Sequence, residues 1–382
     1  MRNKASKEIS RIKRRKLKCK YGLLSFILSI YGIGVQRKMP MVYRIFHLMF
    51  TLLVHVIPMY TISVWFSSYL KNELHLEHLL GSILADILPL VVHYSIKLKK
   101  QALKHILMQY SRVSVLDGKN CVSYRKKVNF ILISIAVILV ILTTICIISM
   151  HSYPEQKLYY TFYINFHNNI VGECIFIFTI HFIFAYEYVL PCVMGLMCGV
   201  LYYEFSEYLF RFRKRLEILS PPFDKKEVVS QLKMHSTLFE VLLDLQEALS
   251  FICFFFLCTQ MTIMFCLLSV FVLTPTENII EPMISELVLI TALAPTSVIG
   301  VVLCASRIYV QCQKIQIAIH LLMDSFMRQT NLDNDIMFYV KLMNDKQFPI
   351  MTAGGIVDLT PKLMLGLFGS LFTYGLFTFH KL

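Results

Sequence analysis

Charge is scarce in this sequence: Asp, Glu, Lys and Arg make up 16% of its 382 residues, while 56% are hydrophobic. With a mean hydropathy of +0.61, the composition excludes an ordinary soluble domain and places the chain in a lipid bilayer. Spacings that carry chemistry are missing as well. There is no paired-carboxylate arrangement, no His-x-x-x-His helix, no Gly-rich phosphate loop, and no serine or cysteine set beside a base. Those absences argue against an enzyme, a nucleotide-driven pump and any cofactor. The 11 cysteines have no metal-type spacing and build neither a zinc site nor a disulfide framework. Cys146 and Cys174 could meet near one membrane face, and free packing cysteines are the preferred reading. Acidic residues number 24 against 38 Lys and Arg, a formal charge of +14. Because the basic residues lie between long apolar runs, the excess reads as membrane topology, with no nucleic acid as partner.

Seven stretches are long enough to cross a hydrocarbon core of about 30 Å, which takes about 20 apolar residues. They run over 41–66, 76–97, 128–150, 171–200, 249–274, 285–306 and 361–380. The fourth is long and contains Pro191, which predicts a kink or a projection beyond the bilayer. Ahead of the first, "YGLLSFILSIYGI" is too short to span and reads as an interfacial or re-entrant segment. Lys and Arg concentrate in alternate connections: residues 1–40 and the second, fourth and sixth connections hold 33, against two in the remaining three. By the positive-inside bias the amino terminus is cytoplasmic and, with seven spans, the carboxyl terminus extracellular. The fold class predicted is therefore all-α, a seven-helix polytopic membrane protein. This orientation opposes that of G-protein-coupled receptors, and neither Asp-Arg-Tyr after the third span nor Asn-Pro-x-x-Tyr in the seventh is present.

The inner connections are long and carry helical patterning. In "YYEFSEYLFRFRKRLEIL", Tyr202, Phe205, Tyr208, Leu209, Phe212 and Leu216 recur at three or four, and "VVSQLKMHSTLFEVLLDLQEALS" follows the same rule. "SPP" at 220–222 separates the two. The organisation expected is a basic amino-terminal segment (1–40), a six-helix bundle (41–306) with cytoplasmic helical extensions (201–248), a cytoplasmic anchor segment (307–354), and the seventh helix with a short outer tail (355–382). The extensions either cover the underside of the bundle or join subunits.

Ionisable groups inside spans are costly, about 2.5–3.5 kcal/mol at a helix centre, and normally face a cavity, a partner or water. Asp86 and His93 in the second span, His181 and Glu187 in the fourth, and His55 in the first are such groups. Phe178, His181, Phe184 and Tyr188 fall at intervals of three and four and predict one aromatic face. The candidate ligand pocket is Asp86, His181, Phe184, Tyr188, Gln260 and Thr291, since apolar pockets with a few polar groups hold small molecules. Helix packing is the competing account of that stripe. The seventh span contains two small-x-x-x-small pairs, Gly366 with Ser370 and Gly369 with Thr373, which permit close helix approach. Either the chain's own bundle fills that approach or several copies of this helix build a pore. Gly366, Gly369, Ser370, Thr373, Tyr374, Phe377 and His380 are the candidate pore residues.

The carboxyl-terminal segment resembles that of arthropod gustatory receptors, in the superfamily that also holds the insect odorant receptors. The family pattern is Thr-Ala-x-Gly, a spacer, Thr-Tyr, five mostly apolar residues and Gln-Phe. Thr352, Ala353, Gly355, Thr373 and Tyr374 match it; His380 and Lys381 replace Gln-Phe. The resemblance implies a multi-pass plasma-membrane receptor opened by a small-molecule tastant. It implies a homo- or heterotetrameric cation channel with the seventh helix lining the pore and the inner extensions joining subunits. The alternatives are an odorant receptor subunit, a seven-helix transporter and a G-protein-type receptor.

Overall fold

The computed structural model describes residues 27–29, 31, 33, 41–71, 76–117, 122–153, 160–161, 170–219, 224–273, 281–327 and 334–379. The apolar runs become long helices: α1 (Met41–Leu70), α2 (Leu76–Leu98), α3 (Lys100–Asp117), α4 (Val122–Met150), α5 (Ile170–Phe184), α6 (Leu190–Ile218), α7 (Lys225–Leu273), α8 (Glu281–Met327), α9 (Asn334–Asp345) and α10 (Pro361–Phe379). A π-helical turn, Ala185–Val189, joins α5 to α6 without a break. Six helical stretches among the described residues are long and apolar enough to cross a membrane, and α10 is a shorter apolar helix of 19 residues. Interior prolines at 58, 89 and 295 are tolerated because neighbouring helices re-satisfy the freed backbone groups in such bundles.

The π turn is the local consequence of Pro191. A proline has no N–H to return to the carbonyl four residues back. Here Leu190 N–H instead reaches Ala185 O, a five-residue step. Where the sequence predicts a kink, the helix inserts one residue and continues.

α8 packs along α6, and α7 touches α2, α3, α6, α8, α9 and α10. The core runs the length of these helices, from Phe176 and Phe184 through Met194, Cys198 and Phe205 to Phe212 and Phe326. Close approach of α6 and α7 needs Gly195, where a Cβ would lie 2.6 Å from the Phe256 ring. Leu48, Leu52 and Met59 on α1 and Ile133, Val137 and Val140 on α4 point outwards, an apolar belt suited to acyl chains.

α6, α7 and α8 are far longer than the roughly 20 residues a span needs, and α6 and α7 flank the "SPP" break. Their extended ends are tied by polar contacts. Tyr110 donates to Leu201 O (2.9 Å), Gln109 donates to Asp244 (2.6 Å), Arg307 pairs with Glu207, and Gln316 donates to Asn344 Oδ1 (2.8 Å). The one departure from an all-α chain among the described residues is a hairpin before α10. Thr352 pairs with Asp358 and Ala353 with Val357 in two antiparallel strands, β1 (Thr352–Ala353) and β2 (Val357–Asp358). From the segment "YGLLSFILSIYGI", the described Leu28, Tyr31 and Ile33 are buried against protein.

His235 sits in the extended part of α7 with no exposed surface, between the rings of Phe212 (5.9 Å) and Phe348 (4.8 Å). Neither ring nitrogen has a hydrogen-bond partner among the described residues. An unsatisfied buried polar group costs about 1–3 kcal/mol, whereas an apolar group of similar shape does not. His235→Leu is therefore expected to raise the melting temperature of the detergent-solubilised protein. A fall would mean that buried water satisfies the imidazole.

Candidate functional site

The polar groups of the spans segregate into two clusters. At the end of the bundle opposite the helical extensions, three acidic side chains converge from three helical segments: Asp86 of α2, Glu187 of the π turn and Glu286 of α8. Asp86, 2% exposed, accepts a hydrogen bond from Trp65 Nε1 at 3.1 Å. Tyr186 donates to its backbone carbonyl at 2.7 Å. Glu187 lies beside Asp86. Tyr188 donates to Glu286 Oε1, and Phe184 packs edge-on against Tyr188 at 5.5 Å. Trp65, Tyr186 and Tyr188 thus bring aromatic rings and hydrogen bonds to the acidic groups in an otherwise apolar bundle.

The sequence-derived pocket is only partly assembled. Asp86, Phe184 and Tyr188 come together. His181 lies elsewhere, bonded to Thr143 Oγ1 and to Ile177 O, both at 2.9 Å. Phe178 is 61% exposed and stacks on Phe182. Phe178, His181 and Phe184 all precede the π turn; two steps of three residues turn a regular helix by about 120°, so the expected stripe spreads around α5 before Tyr188 is reached. Gln260 is buried in another layer, donating to Cys192 Sγ at 3.8 Å. Thr291 is exposed and bonds back to Leu287 O at 2.8 Å. Trp65, Tyr186 and Glu286 escape the sequence reading. The visible signal for Glu286 is an acidic residue inside the apolar stretch "ISELVLI".

The second cluster lies towards the extended end. His93 Nδ1 meets the Tyr31 hydroxyl at 3.2 Å, His55 Nε2 meets Tyr94 at 2.5 Å, and the two imidazoles are 6.4 Å apart. No group of His, Cys, Asp and Glu among the described residues could hold a metal ion. Cys146 is buried, Cys174 exposed, and both are free.

α10 shows two unlike faces. Leu363, Met364, Leu367 and Leu371 pack on the core. Tyr374 turns to α7, with its hydroxyl 2.9 Å from Ser269 Oγ and its ring 5.2 Å from Phe265. Gly366, Gly369, Ser370 and Thr373 lie on the exposed side, where Ser370 and Thr373 bond to the carbonyls of Gly366 (2.9 Å) and Gly369 (2.8 Å). The Phe377 side chain, His380 and Lys381 lie outside the described residues.

These features define a multi-pass helical membrane protein with a buried polar cluster and one helix left open on one side. Its fold is that of an insect olfactory receptor. OR5 from Machilis hrabei matches with a TM-score of 0.62 at 12% identity, covering 98% of this chain and 97% of that one. The structure of OR5 in complex with eugenol matches with a TM-score of 0.57 at 12% identity, over 100% and 98% of the two chains. No protein-family model and no curated protein sequence matches this chain.

Proposed function

We propose that this protein is a chemoreceptor of the insect superfamily, a gustatory receptor acting as a tetrameric cation channel opened by a small-molecule tastant at the plasma membrane. The observation that carries the reading is the likeness of fold to OR5 over the whole length of both chains. The ligand class follows from the eugenol complex of that receptor and from the Asp86–Glu187–Glu286 group. Ligand would enter from outside, displace or recruit the tyrosine and tryptophan hydrogen bonds, and shift the bundle. Four α10 helices, one per subunit, would line the pore with Gly366, Gly369, Ser370 and Thr373. The extended ends of α6, α7 and α8 with α9 would join the subunits inside.

The odorant branch is the second reading, favoured by the OR5 fold. The motif Thr352, Ala353, Gly355, Thr373 and Tyr374 favours the gustatory branch. Expression with current recording across tastant and odorant panels separates the two. Topology separates both from a G-protein-type receptor. A tag after Leu382 is expected to bind antibody on intact cells, and a tag before Met1 only after permeabilisation. The reverse labelling would sink the channel reading, and a transporter would show flux without single-channel events.

A further inference from the structure

The motif Thr352–Gly355 is gripped by α7. Gln246 Oε1 accepts the Thr352 N–H at 3.0 Å. Its Nε2 donates to the Thr352 carbonyl at 3.2 Å and also to the Thr352 hydroxyl. One helical turn further on, the Ser250 carbonyl accepts the Gly354 N–H at 2.9 Å, and the Ser250 hydroxyl accepts the Gly355 N–H at 3.1 Å. Residues four apart share a helix face, so both clamps project from one side of α7. The fit leaves no slack. Gly354 has φ +63°, and a Cβ there would lie 3.0 Å from the Phe254 ring, one turn beyond Ser250.

The hairpin is closed by Leu359 N–H to Met351 O (2.9 Å) and Ile356 N–H to Ala353 O (3.1 Å). Ala353, Met351 and Leu359 are almost fully buried. α10 starts two residues later, at Pro361, whose fixed φ suits a helix start. Its far end returns to α7 through Tyr374. The helix is therefore held to α7 at both ends, and its lower attachment is made by the Gln246 and Ser250 side chains together with the Ser250 carbonyl.

We propose that Gln246, with Ser250, is a positioning residue of the gate: a latch through which movement of α7 is transmitted to α10. This rests on the channel reading above. Gln246 acts through the hairpin, 106 positions away in sequence at Thr352, and has no part in binding ligand or lining the pore.

Gln246→Leu removes all three hydrogen bonds to residue 352; Thr352→Val removes only the one to the hydroxyl, since its N–H and carbonyl remain, and Gln246→Glu keeps the acceptor for the Thr352 N–H. In single-channel recordings, open probability at saturating agonist is expected to fall at least threefold in Gln246→Leu and less in Thr352→Val and Gln246→Glu. Unitary conductance and ion selectivity should stay unchanged, and Gln246→Leu/Thr352→Val should be no worse than Gln246→Leu alone. Unchanged open probability, or a change in conductance or selectivity, overturns the latch. So does loss of surface protein in all three variants while the remaining channels open normally.

Hydrogen exchange of the solubilised full chain separates the latch from the channel reading. The amides of 352–355 should be protected in the parent and exchange at least tenfold faster in Gln246→Leu, and equal rates overturn the latch whatever the currents show. A parent that carries no current under any ligand overturns the channel reading and the gating role together.

Discussion

Phenylalanine in place of Trp65 is expected to raise the half-maximal ligand concentration by about tenfold or more with little change in surface protein. The substitution keeps an aromatic ring in the wall and removes one donor. That donor is the indole N–H, 3.1 Å from the Asp86 carboxyl, and Asp86 is buried. A hydrogen bond to a charged carboxylate contributes about 1.5–3 kcal/mol, and 1.4 kcal/mol is a factor of about ten. Asp86→Asn should shift the response less, because its amide still accepts from Trp65 and can donate to Glu187. His181→Ala is the contrasting case. Its imidazole is committed to Thr143 and Ile177, so the ligand response should not move. Equal shifts in Trp65→Phe and His181→Ala would place the ligand between α4 and α5 and make the acidic group structural.

That contrast marks the boundary of what could be read in advance. Span positions and the long helices flanking "SPP" were legible because apolar runs and three-to-four spacing are local properties of the chain. The pocket depends on two features that are not local. One is the π turn, Ala185–Val189, which the fixed periodicity of a regular helix cannot represent; Pro191 predicted a disturbance without its form. The other is the packing of α1 on α2, which brings Trp65 to Asp86, and of α8 on the π turn, which brings Glu286 to Tyr188. Spacing along one helix is silent about both pairs. The Thr352–Gly355 motif was visible as a motif, but its attachment to Gln246 joins positions 106 apart. Tyr374, expected with the pore residues, turns to its own α7, whereas the glycine, serine and threonine face is the open one.

That open face carries the largest expected effect. Gly369→Leu should reduce current at least tenfold while the surface amount, measured by biotinylation, stays near the parent's. A Cβ at Gly369 or Gly366 meets nothing within 4 Å among the described residues, and leucine is a better helix former than glycine by roughly 0.5–1 kcal/mol. An isolated subunit therefore has no reason to reject the leucine. Four such side chains around one axis would narrow the path and replace exposed backbone with hydrocarbon, which impedes ions by dewetting. Gly375→Leu should behave in the opposite way. Its Cβ would already touch Leu268 of α7 at 3.4 Å, so the larger side chain overpacks the joint at a cost of about 1–3 kcal/mol and should lower surface protein first. Parental currents in Gly369→Leu would mean that the open face meets lipid and that α10 does not line a pore. Loss of Gly369→Leu from the surface would instead identify a tightly packed neighbour helix at that face.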